Sequence, residues 1–412
     1  MPNPSKEYLV AINLFRLVSL TVGLSLVLSA VLIFFRLVTP VFGIDQYSFS
    51  QLIIIFNLII LAVSGFSISI IWLDKGKIPF SFIIFSLVLF VYFYYGFILN
   101  GINYFSFQHI YYFLAAYVFF EFGRNLLDYI SFSRLQGLFK LGFFSNFFVV
   151  VCYKIMSVFY VIYPGYGGSF IGYIAIYFLS LRNRIYFFVS VILIVAQGKR
   201  SILLSFIASL VVYYAFFKVK LGFFFTFSLM ISFVTALLLG IEYLDLYSIG
   251  GLGRLAYINP FSDRFDLYLG SSGRFDEILS MFRGFSSYGL EYLFGRGFGF
   301  SYEWELSYRP DFIEIKGYVH NTHLLIFALT GLVGLSIWLG YFIFVFSSIR
   351  RRMNGFPPHE QRIVQFFCMS LIFFFISGFF SLNIISDIFG VICVGVVHYL
   401  SIYCNRKGRE AT

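Results

Sequence analysis

The sequence has few charged residues for its length. Only 12% of its 412 residues are Asp, Glu, Lys or Arg, whereas soluble domains average about 25%. So few charges leave too little polar surface to cover a globule in water, which excludes a soluble enzyme. The chain is instead 60% hydrophobic and 23% aromatic, and aromatic rings suit helices that meet lipid and its interface. We therefore predict an integral membrane protein.

Cysteine and histidine are also scarce. The four cysteines lie within or just beyond apolar runs, so they form neither a disulfide framework nor a zinc-finger spacing. His320 and His323 are too few for a metal site on their own, and no Asp-x-Asp pair accompanies them. The sequence therefore predicts no bound metal.

Apolar runs account for most of the chain. A run of roughly 20 residues crosses about 30 Å of hydrocarbon, and such runs occur near 14–35, 50–73, 79–99, 106–122, 141–163, 201–217, 221–241, 324–347, 363–384 and 388–403. Another run is interrupted by Arg182-Asn183-Arg184. Because arginines at the bilayer centre are costly, we predict two short helices there. The total is about twelve transmembrane helices, the first being a retained span rather than a signal peptide.

The positive charges predict the orientation. With a cytoplasmic N-terminus, most Lys and Arg fall in cytoplasmic segments, and the short outward loops hold only Arg36, Lys199 and Arg200. The positive-inside rule then places both termini in the cytoplasm, and the net charge of +10 needs no nucleic-acid partner. We divide the chain into transmembrane helices one to nine (1–241), a periplasmic loop (242–322), and helices ten to twelve with a cytoplasmic tail (323–412).

The end of the long loop carries the first candidate for chemistry. His320-Asn321 is followed after nine residues by Gly331-Leu332-Val333-Gly334. An imidazole can take a proton near neutral pH, and the neighbouring amide can orient it or a substrate hydroxyl. His323 would lie one helical turn along, on a similar face. The alternative is that these histidines serve only as polar anchors at the interface.

A second motif in the loop suits an anion. Ser272-Gly273-Arg274 precedes apolar residues at helical spacing, which predicts an amphipathic helix at the membrane surface with a serine cap. A helix N-terminus with an arginine favours phosphate. The later glycines around Arg296 allow either close approach of a ligand to the backbone or a tight turn.

The third motif is Gln197-Gly198-Lys199-Arg200-Ser201. Two positive charges on the outer face oppose the positive-inside rule, so something should compensate them. A bound diphosphate is one suitable partner, and pairing with loop acids such as Glu303 or Asp311, or with lipid headgroups, is an equally suitable alternative. Four other polar residues near or within spans need partners and are interpreted as structural: His109, Glu121, Lys154 and His398.

Together these motifs resemble the bacterial O-antigen polymerase and O-antigen ligase superfamily. The specific residues of the resemblance fall within about 195–335. It implies an all-α polytopic membrane protein with about twelve transmembrane helices, a large periplasmic loop and the GT-C type of glycosyltransferase fold. It also implies a location in the bacterial inner membrane, and glycosyl transfer from undecaprenyl diphosphate without metal or cofactor.

Carried over by position, the resemblance implies roles for single residues. His320 is the expected catalytic base, and Arg274, Arg200 and Lys199 are the expected diphosphate contacts. Substrate positioning is assigned to Asn321, His323 and Arg296. The family's loop tryptophan after the Ser-Gly-Arg motif is absent, and Ile278 stands nearby. Three loop aromatics are candidates for stacking on sugars or for interfacial anchoring: Tyr302, Trp304 and Tyr308.

Three functions fit these observations. A polymerase, which we favour, joins lipid-linked oligosaccharides as donor and acceptor. A ligase would move the finished glycan to lipid A core instead. The third is a flippase or transporter for lipid-linked sugar, although transporters usually place polar sites near the bilayer midplane. Membrane lipids are the other expected partners, and a protein that regulates chain length is a further candidate partner.

Overall fold

The computed structural model describes residues 16–27, 46–74, 76, 78–159, 170–197, 199–217, 221–244, 256–257, 259–260, 262–264, 266, 273–285, 289–306, 309–356, 358–382 and 387–410. Most of these residues are helical. The helices are α1 (Arg16–Val27), α2 (Gln46–Asp74), α3 (Phe80–Asn100), α4 (Tyr104–Tyr129), α5 (Phe132–Phe159), α6 (Phe170–Ser180), α7 (Arg184–Ala196), α8 (Arg200–Phe217), α9 (Leu221–Tyr243), α10 (Arg274–Arg283), α11 (Gly289–Phe294), α12 (Thr322–Arg352), α13 (Pro358–Ser377) and α14 (Ile388–Glu410).

Within the described residues, five helices are long and apolar enough to cross a membrane. They comprise Ile55–Leu73, Phe80–Asn100, Ser133–Cys152, Thr322–Arg351 and Glu360–Ser377. Shorter apolar helices, including α6 and α7, accompany them. The predicted helical character is thereby confirmed, and these five helices are compatible with the predicted membrane protein. Of the predicted span near 14–35, only 16–27 falls within the described residues.

The break predicted at Arg182-Asn183-Arg184 is present. Helix α6 ends at Ser180 and α7 begins at Arg184, with the Asn183 side chain accepting a hydrogen bond from the Tyr186 N–H. Every residue of α6 is buried, and this helix packs against α7 and α13. A short helix that is apolar on all sides therefore lies at the centre of the protein, because protein rather than water or lipid surrounds it.

Close packing between α4 and α14 organises the helices that support the loop. At Gly123 an added Cβ would overlap the carbonyl of Ile392, and at Gly395 it would overlap the carbonyl of Phe120. Small residues allow helix backbones to approach this closely in a membrane. Helix α14 also packs on α12 and α13, so α12, which follows the loop, is anchored by the same group of helices.

The polar residues interpreted as structural have partners. Glu121 pairs with Arg124 at 2.9 Å, His398 bonds the Tyr341 hydroxyl at 3.2 Å, and His109 bonds the Gly317 carbonyl and accepts from the Gly299 N–H. Such partners offset the cost of placing polar groups among apolar helices. The side chain of Lys154 lies outside the described residues.

A two-stranded hairpin, which the sequence did not predict, lies in the loop. Strand β1 (Tyr302–Leu306) pairs antiparallel with β2 (Arg309–Lys316), and Tyr302 is opposite Lys316. Helix α10 packs against β1. The hairpin therefore brings the end of β2 toward α10 just before the chain enters α12.

Helix α10 is amphipathic as predicted, but its cap differs. Its N-cap is Gly273 in the left-handed conformation, without a side-chain cap hydrogen bond, while Ser271 and Ser272 lie outside the described residues. The expected serine cap is therefore wrong, because a glycine can enter the helix at φ 78° without a steric penalty. On the helix itself, Phe275 and Leu279 are 52% and 57% exposed, whereas polar residues such as Glu277 are buried.

Candidate functional site

His320 lies between the hairpin and a helix long enough to cross a membrane. Strand β2 ends at Lys316, and the candidate span begins at Thr322. Where such a helix crosses a membrane, a residue two positions before it lies at the boundary between the membrane and its surroundings. The His320 side chain is 30% exposed there, so it remains accessible from outside the protein core.

The carboxylate of Glu277 holds His320 at two points. The His320 Nδ1 atom is 2.6 Å from Glu277 Oε1, and the His320 backbone N–H donates to Glu277 Oε2 at 3.2 Å. An ionised carboxylate can only accept hydrogen bonds, so Nδ1 carries the proton and donates it. The lone pair is then on Nε2, which has no hydrogen-bond partner among the described protein residues. This arrangement leaves a basic nitrogen available.

Two cations complete a charge cluster, which we define as Arg274, Glu277, Lys316 and His320. Arg274 Nη1 lies 3.3 Å from Glu277 Oε2, and Lys316 Nζ lies 3.6 Å from Glu277 Oε1. The Tyr302 hydroxyl lies 3.4 Å from Glu277 Oε1. With Glu277 ionised and His320 neutral, these four residues carry a charge of +1, although Lys316 Nζ also lies 3.8 Å from Glu314 Oε2. Arg274, whose side chain is 38% exposed, is the cation best placed to favour an anion nearby.

The charges settle the protonation of the cluster. Burial raises the pKa of Glu277, but the hydrogen bond from His320 and the charges of Arg274 and Lys316 outweigh it, so the pKa lies below its usual value. Burial lowers the pKa of His320, and Arg274 and Lys316 lower it further against the opposing effect of Glu277. At neutral pH the carboxylate is therefore ionised and the imidazole is neutral.

Lys199, from the third motif, lies in the electrostatic range of the same cluster. Burial lowers its pKa to about 8, the carboxylate of Asp387 raises it, and the charge of Arg274 lowers it. The acid that compensates Lys199 is thus Asp387, just before α14, in place of Glu303 or Asp311. Arg200 follows Lys199 as the first residue of α8. The charge of Lys199 therefore interacts with that of Arg274, which also pairs with Glu277.

Asn321 and His323 have structural contacts. The Asn321 side chain caps α12 by accepting from the Leu324 N–H at 3.0 Å. Both ring nitrogens of His323 are occupied, since one bonds the Phe375 carbonyl at 2.9 Å and the other accepts from Trp338 Nε1 at 3.0 Å. His323 is also buried. It therefore does not share the environment of His320, although the two histidines are only three positions apart in the sequence.

Arg296 belongs to a second feature, the glycine clamp, which we define as Gly295, Gly297 and Gly331 with the backbone they contact. Gly331 has φ 66° and interrupts the helical backbone of α12. The N–H groups of Arg296 and Gly297 donate to the carbonyls of Ala328 and Leu329, at 2.8 and 3.0 Å. These bonds satisfy carbonyls that the kink would otherwise leave open.

The side chain of Arg296 contacts protein residues near the clamp. Its Nη1 atom pairs with Glu291 at 2.6 Å, and its guanidinium lies 5.7 Å from the centre of the Phe300 ring. At both Gly295 and Gly331 an added Cβ would overlap neighbouring backbone. The glycine-rich motif therefore forms a tight turn packed on α12, the alternative that the sequence had left open.

The loop aromatics also have protein contacts. Tyr302 is buried, and its hydroxyl donates to the Tyr318 carbonyl at 2.8 Å, so it does not present a face to a sugar. The Trp304 ring lies 3.3 Å from Lys316 Nζ, and Tyr308 lies outside the described residues. Among the described residues, no group of three or more His, Cys, Asp or Glu side chains could hold a metal ion.

The sequence analysis missed Glu277 and Lys316. One signal for Glu277 was available: it lies three residues after Arg274, on the same side of an amphipathic helix, where oppositely charged residues pair. No comparable signal exists for Lys316, because only the hairpin brings it to α10. Comparison with protein-family models and with curated proteins finds no match for this chain.

Proposed function

We propose that this protein is a membrane glycosyltransferase that polymerises lipid-linked oligosaccharides. It would transfer a glycan from undecaprenyl diphosphate to a sugar hydroxyl of another lipid-linked repeat unit. The observation that carries the proposal is the placement of His320, with an available Nε2, on the carboxylate that also pairs with Arg274, which in turn interacts electrostatically with Lys199. A neutral base next to cations suits attack on a sugar whose leaving group is a diphosphate.

The proposed reaction is a single displacement. His320 Nε2 takes the proton of the acceptor hydroxyl, and the hydroxyl oxygen forms a bond to the anomeric carbon. The bond from that carbon to the diphosphate oxygen breaks, and its electron pair leaves with the diphosphate. Arg274, Lys199 and Arg200 stabilise this developing charge. Attack opposite the leaving group inverts the anomeric centre.

This mechanism needs fewer catalytic groups than glycoside hydrolysis. Glycosidases use two carboxyl groups, because one must protonate a poor leaving group. A diphosphate leaves as a stabilised anion, so cations replace the acid. In the charge cluster the single acid, Glu277, is ionised and already bonded to His320. The residues present therefore match transfer from a diphosphate better than hydrolysis of an ordinary glycoside.

The position of the cluster supports a lipid-linked substrate. Such a substrate keeps its polyprenyl tail in the membrane and its sugars in water, so the reacting bond lies at the boundary between them. Helix α10, which begins at Arg274, exposes the apolar residues Phe275 and Leu279, as expected of a helix at a membrane surface. We further propose that this boundary is periplasmic, and that the shorter helices complete about twelve spans of a GT-C type fold in the bacterial inner membrane.

Two other functions remain as outcomes of the test. A ligase would use the same donor and base but transfer the glycan to lipid A core. A flippase would move the lipid-linked sugar across the membrane without forming a new bond. Neither would elongate a lipid-linked repeat in the absence of another acceptor.

The test uses the full chain, purified and reconstituted in lipid nanodiscs with a lipid-linked repeat unit. We expect a ladder of longer glycans and release of one undecaprenyl diphosphate for each bond formed. Transfer only after lipid A core is added would identify a ligase. Absence of both products from folded protein, with transbilayer movement of the substrate in vesicles, would identify a flippase and overturn the proposal.

A further inference from the structure

The most specific contact in the loop joins α10 to the residue before α12. A single carboxylate, that of Glu277, accepts from both the imidazole Nδ1–H and the backbone N–H of His320, at 2.6 and 3.2 Å. The two bonds fix the backbone and the side chain of the same residue. They leave the imidazole ring little freedom to rotate, and they select the tautomer with its lone pair on Nε2.

Glu277 is itself held rigidly. Its side chain is only 1% exposed, and the Tyr302 hydroxyl of β1 lies 3.4 Å from its Oε1 atom. Arg274, one turn earlier on α10, and Lys316 at the end of β2 lie 3.3 and 3.6 Å away. A buried carboxylate with this many donors is costly to assemble unless the arrangement is well satisfied. Its orientation therefore depends on three separate elements of the loop.

We propose that Glu277 is a positioning residue that orients His320 and raises its basicity for the transfer reaction. This inference rests on the proposed function for its catalytic meaning. It goes beyond that function because the sequence motifs did not include Glu277. The carboxylate does not reach the substrate in this role, since both of its oxygens are directed to protein groups.

The electrostatics support a role in tuning as well as in orientation. The charged and titratable groups around His320 are Glu277 and Arg274 from α10, Lys316 from β2 and Tyr318 from the following segment, whose ring contacts the imidazole. Arg274 and Lys316 lower the pKa of His320, and Glu277 alone among the charged residues raises it. Without Glu277, His320 would be a weaker base and would be free to rotate.

The first test measures His320 directly and requires no substrate. Diethyl pyrocarbonate reacts with neutral imidazole, so the rate of His320 modification against pH, read by mass spectrometry of its peptide, gives its pKa. We expect Glu277→Gln to move the midpoint below that of the wild type, because a charge that raises the pKa is removed. The control is Glu305→Gln, the same substitution in a half-exposed pair with Arg283, which should leave the midpoint unchanged.

The second test measures transfer. We expect Glu277→Gln to lower kcat by about 10²-fold, within the range of general base catalysis, with the acid limb of the pH profile displaced in the same direction as the modification midpoint. If Glu277→Gln does not fold, Glu277→Asp replaces it. The shorter side chain keeps the charge but cannot reach both bonds, so we expect a near wild-type modification midpoint and a reduced kcat.

The outcomes separate this inference from the proposed function. Identical modification midpoints in folded wild type and Glu277→Gln, or an unchanged kcat in Glu277→Asp, would overturn the role of Glu277. A displaced midpoint in Glu277→Gln together with no dependence of transfer on His320 would instead overturn the proposed catalytic base, while the contact between the two side chains would stand.

Discussion

The charge cluster and the glycine clamp both begin as motifs that suit an anion, yet the structure gives them different environments. In the clamp, the backbone N–H groups of Arg296 and Gly297 donate to carbonyls of α12, and the Arg296 side chain pairs with Glu291. In the cluster, His320 has no protein partner at Nε2 among the described residues, and Arg274 keeps 38% of its side chain exposed. The clamp binds its backbone donors and Arg296 Nη1 to protein, although the buried Arg296 Nε has no partner among the described residues, whereas the cluster leaves the partly exposed imidazole of His320 with an available nitrogen.

His320 and His323 show the same contrast between a side chain with an available group and one whose groups are all bonded to protein. His323 is buried with both nitrogens bonded, so protonating it would break a hydrogen bond. His320 is bonded at one nitrogen only. A histidine with one fixed nitrogen and one available nitrogen suits proton transfer, while a histidine fixed at both suits packing. The number of occupied nitrogens, rather than the residue type, distinguishes the two roles.

The largest expected effect is that of His320→Ala. Removal of a general base lowers turnover by about 10²–10⁴-fold, and we expect this loss in the nanodisc assay of chain elongation. Since the variant also removes a hydrogen-bond donor from the buried carboxylate of Glu277, its thermal midpoint of unfolding should fall, and turnover is compared at a temperature below that midpoint. Folded His320→Ala protein that retains a tenth or more of the wild-type turnover would remove the distinction between the cluster and the clamp.

The next effect separates two arginines of one helix. Arg274 and Arg283 both lie on α10 and both pair with a glutamate, but Arg283 is 69% exposed and pairs with Glu305 on the surface. We expect Arg274→Ala to lower turnover by about 10²-fold, as for loss of one donor to a developing anion. Arg283→Ala should remain within about twofold of the wild type, since exposed pairs contribute little. Equal losses would contradict an anion site at Arg274.

The helices were predictable because their signal is local. A run of apolar residues predicts a membrane helix without knowledge of its neighbours, and the break at Arg182-Asn183-Arg184 follows from two charges that a single span could not hold. The cap of α10 was mispredicted because two serines precede Gly273. The preference of serine for the N-cap position does not by itself decide which residue occupies that position. The hairpin was missed because its strands are short and include charged residues.

The candidate site was predictable only in part, since it joins distant segments. His320, Arg274 and Lys199 could be proposed one motif at a time. Their convergence depends on α7, α8, α10 and the hairpin taking particular positions, which no local pattern encodes. Lys316 is the clearest case, because an isolated lysine in a polar strand gives no sign that it will be buried against Glu277. The partner of Lys199 was missed for the same reason.

A substitution in the glycine clamp should change the stability of the fold rather than the rate of transfer. Gly331→Ala places a side chain at φ 66° and against the backbone of Leu293, which costs about 1–3 kcal/mol in backbone strain alone, with the steric overlap in addition. Gly340→Ala is the matched control, because nothing lies within 4 Å of its added Cβ on the same helix. We expect a lower thermal midpoint only for Gly331→Ala. Equal midpoints for the two variants would contradict the clamp.

The smallest effect concerns the third motif and appears only in alkaline solution. With a pKa of about 8, Lys199 of the free enzyme is charged at neutral pH and loses its charge as the pH rises through that value. If Lys199 binds the diphosphate, kcat/KM should fall above this pH, whereas the limb set by His320 lies at acid pH, where protonation removes the base. Lys199→Arg keeps its charge throughout, so its alkaline limb should move to higher pH while its acid limb stays in place.

The size of the effect follows from the fraction of charged lysine. At one pH unit above the lysine pKa, about a tenth of Lys199 is still charged. At that pH the variant should therefore retain roughly ten times more of its neutral-pH kcat/KM than the wild type retains. Superimposable alkaline limbs would mean that Lys199 does not bind the diphosphate and only compensates the charge of Asp387.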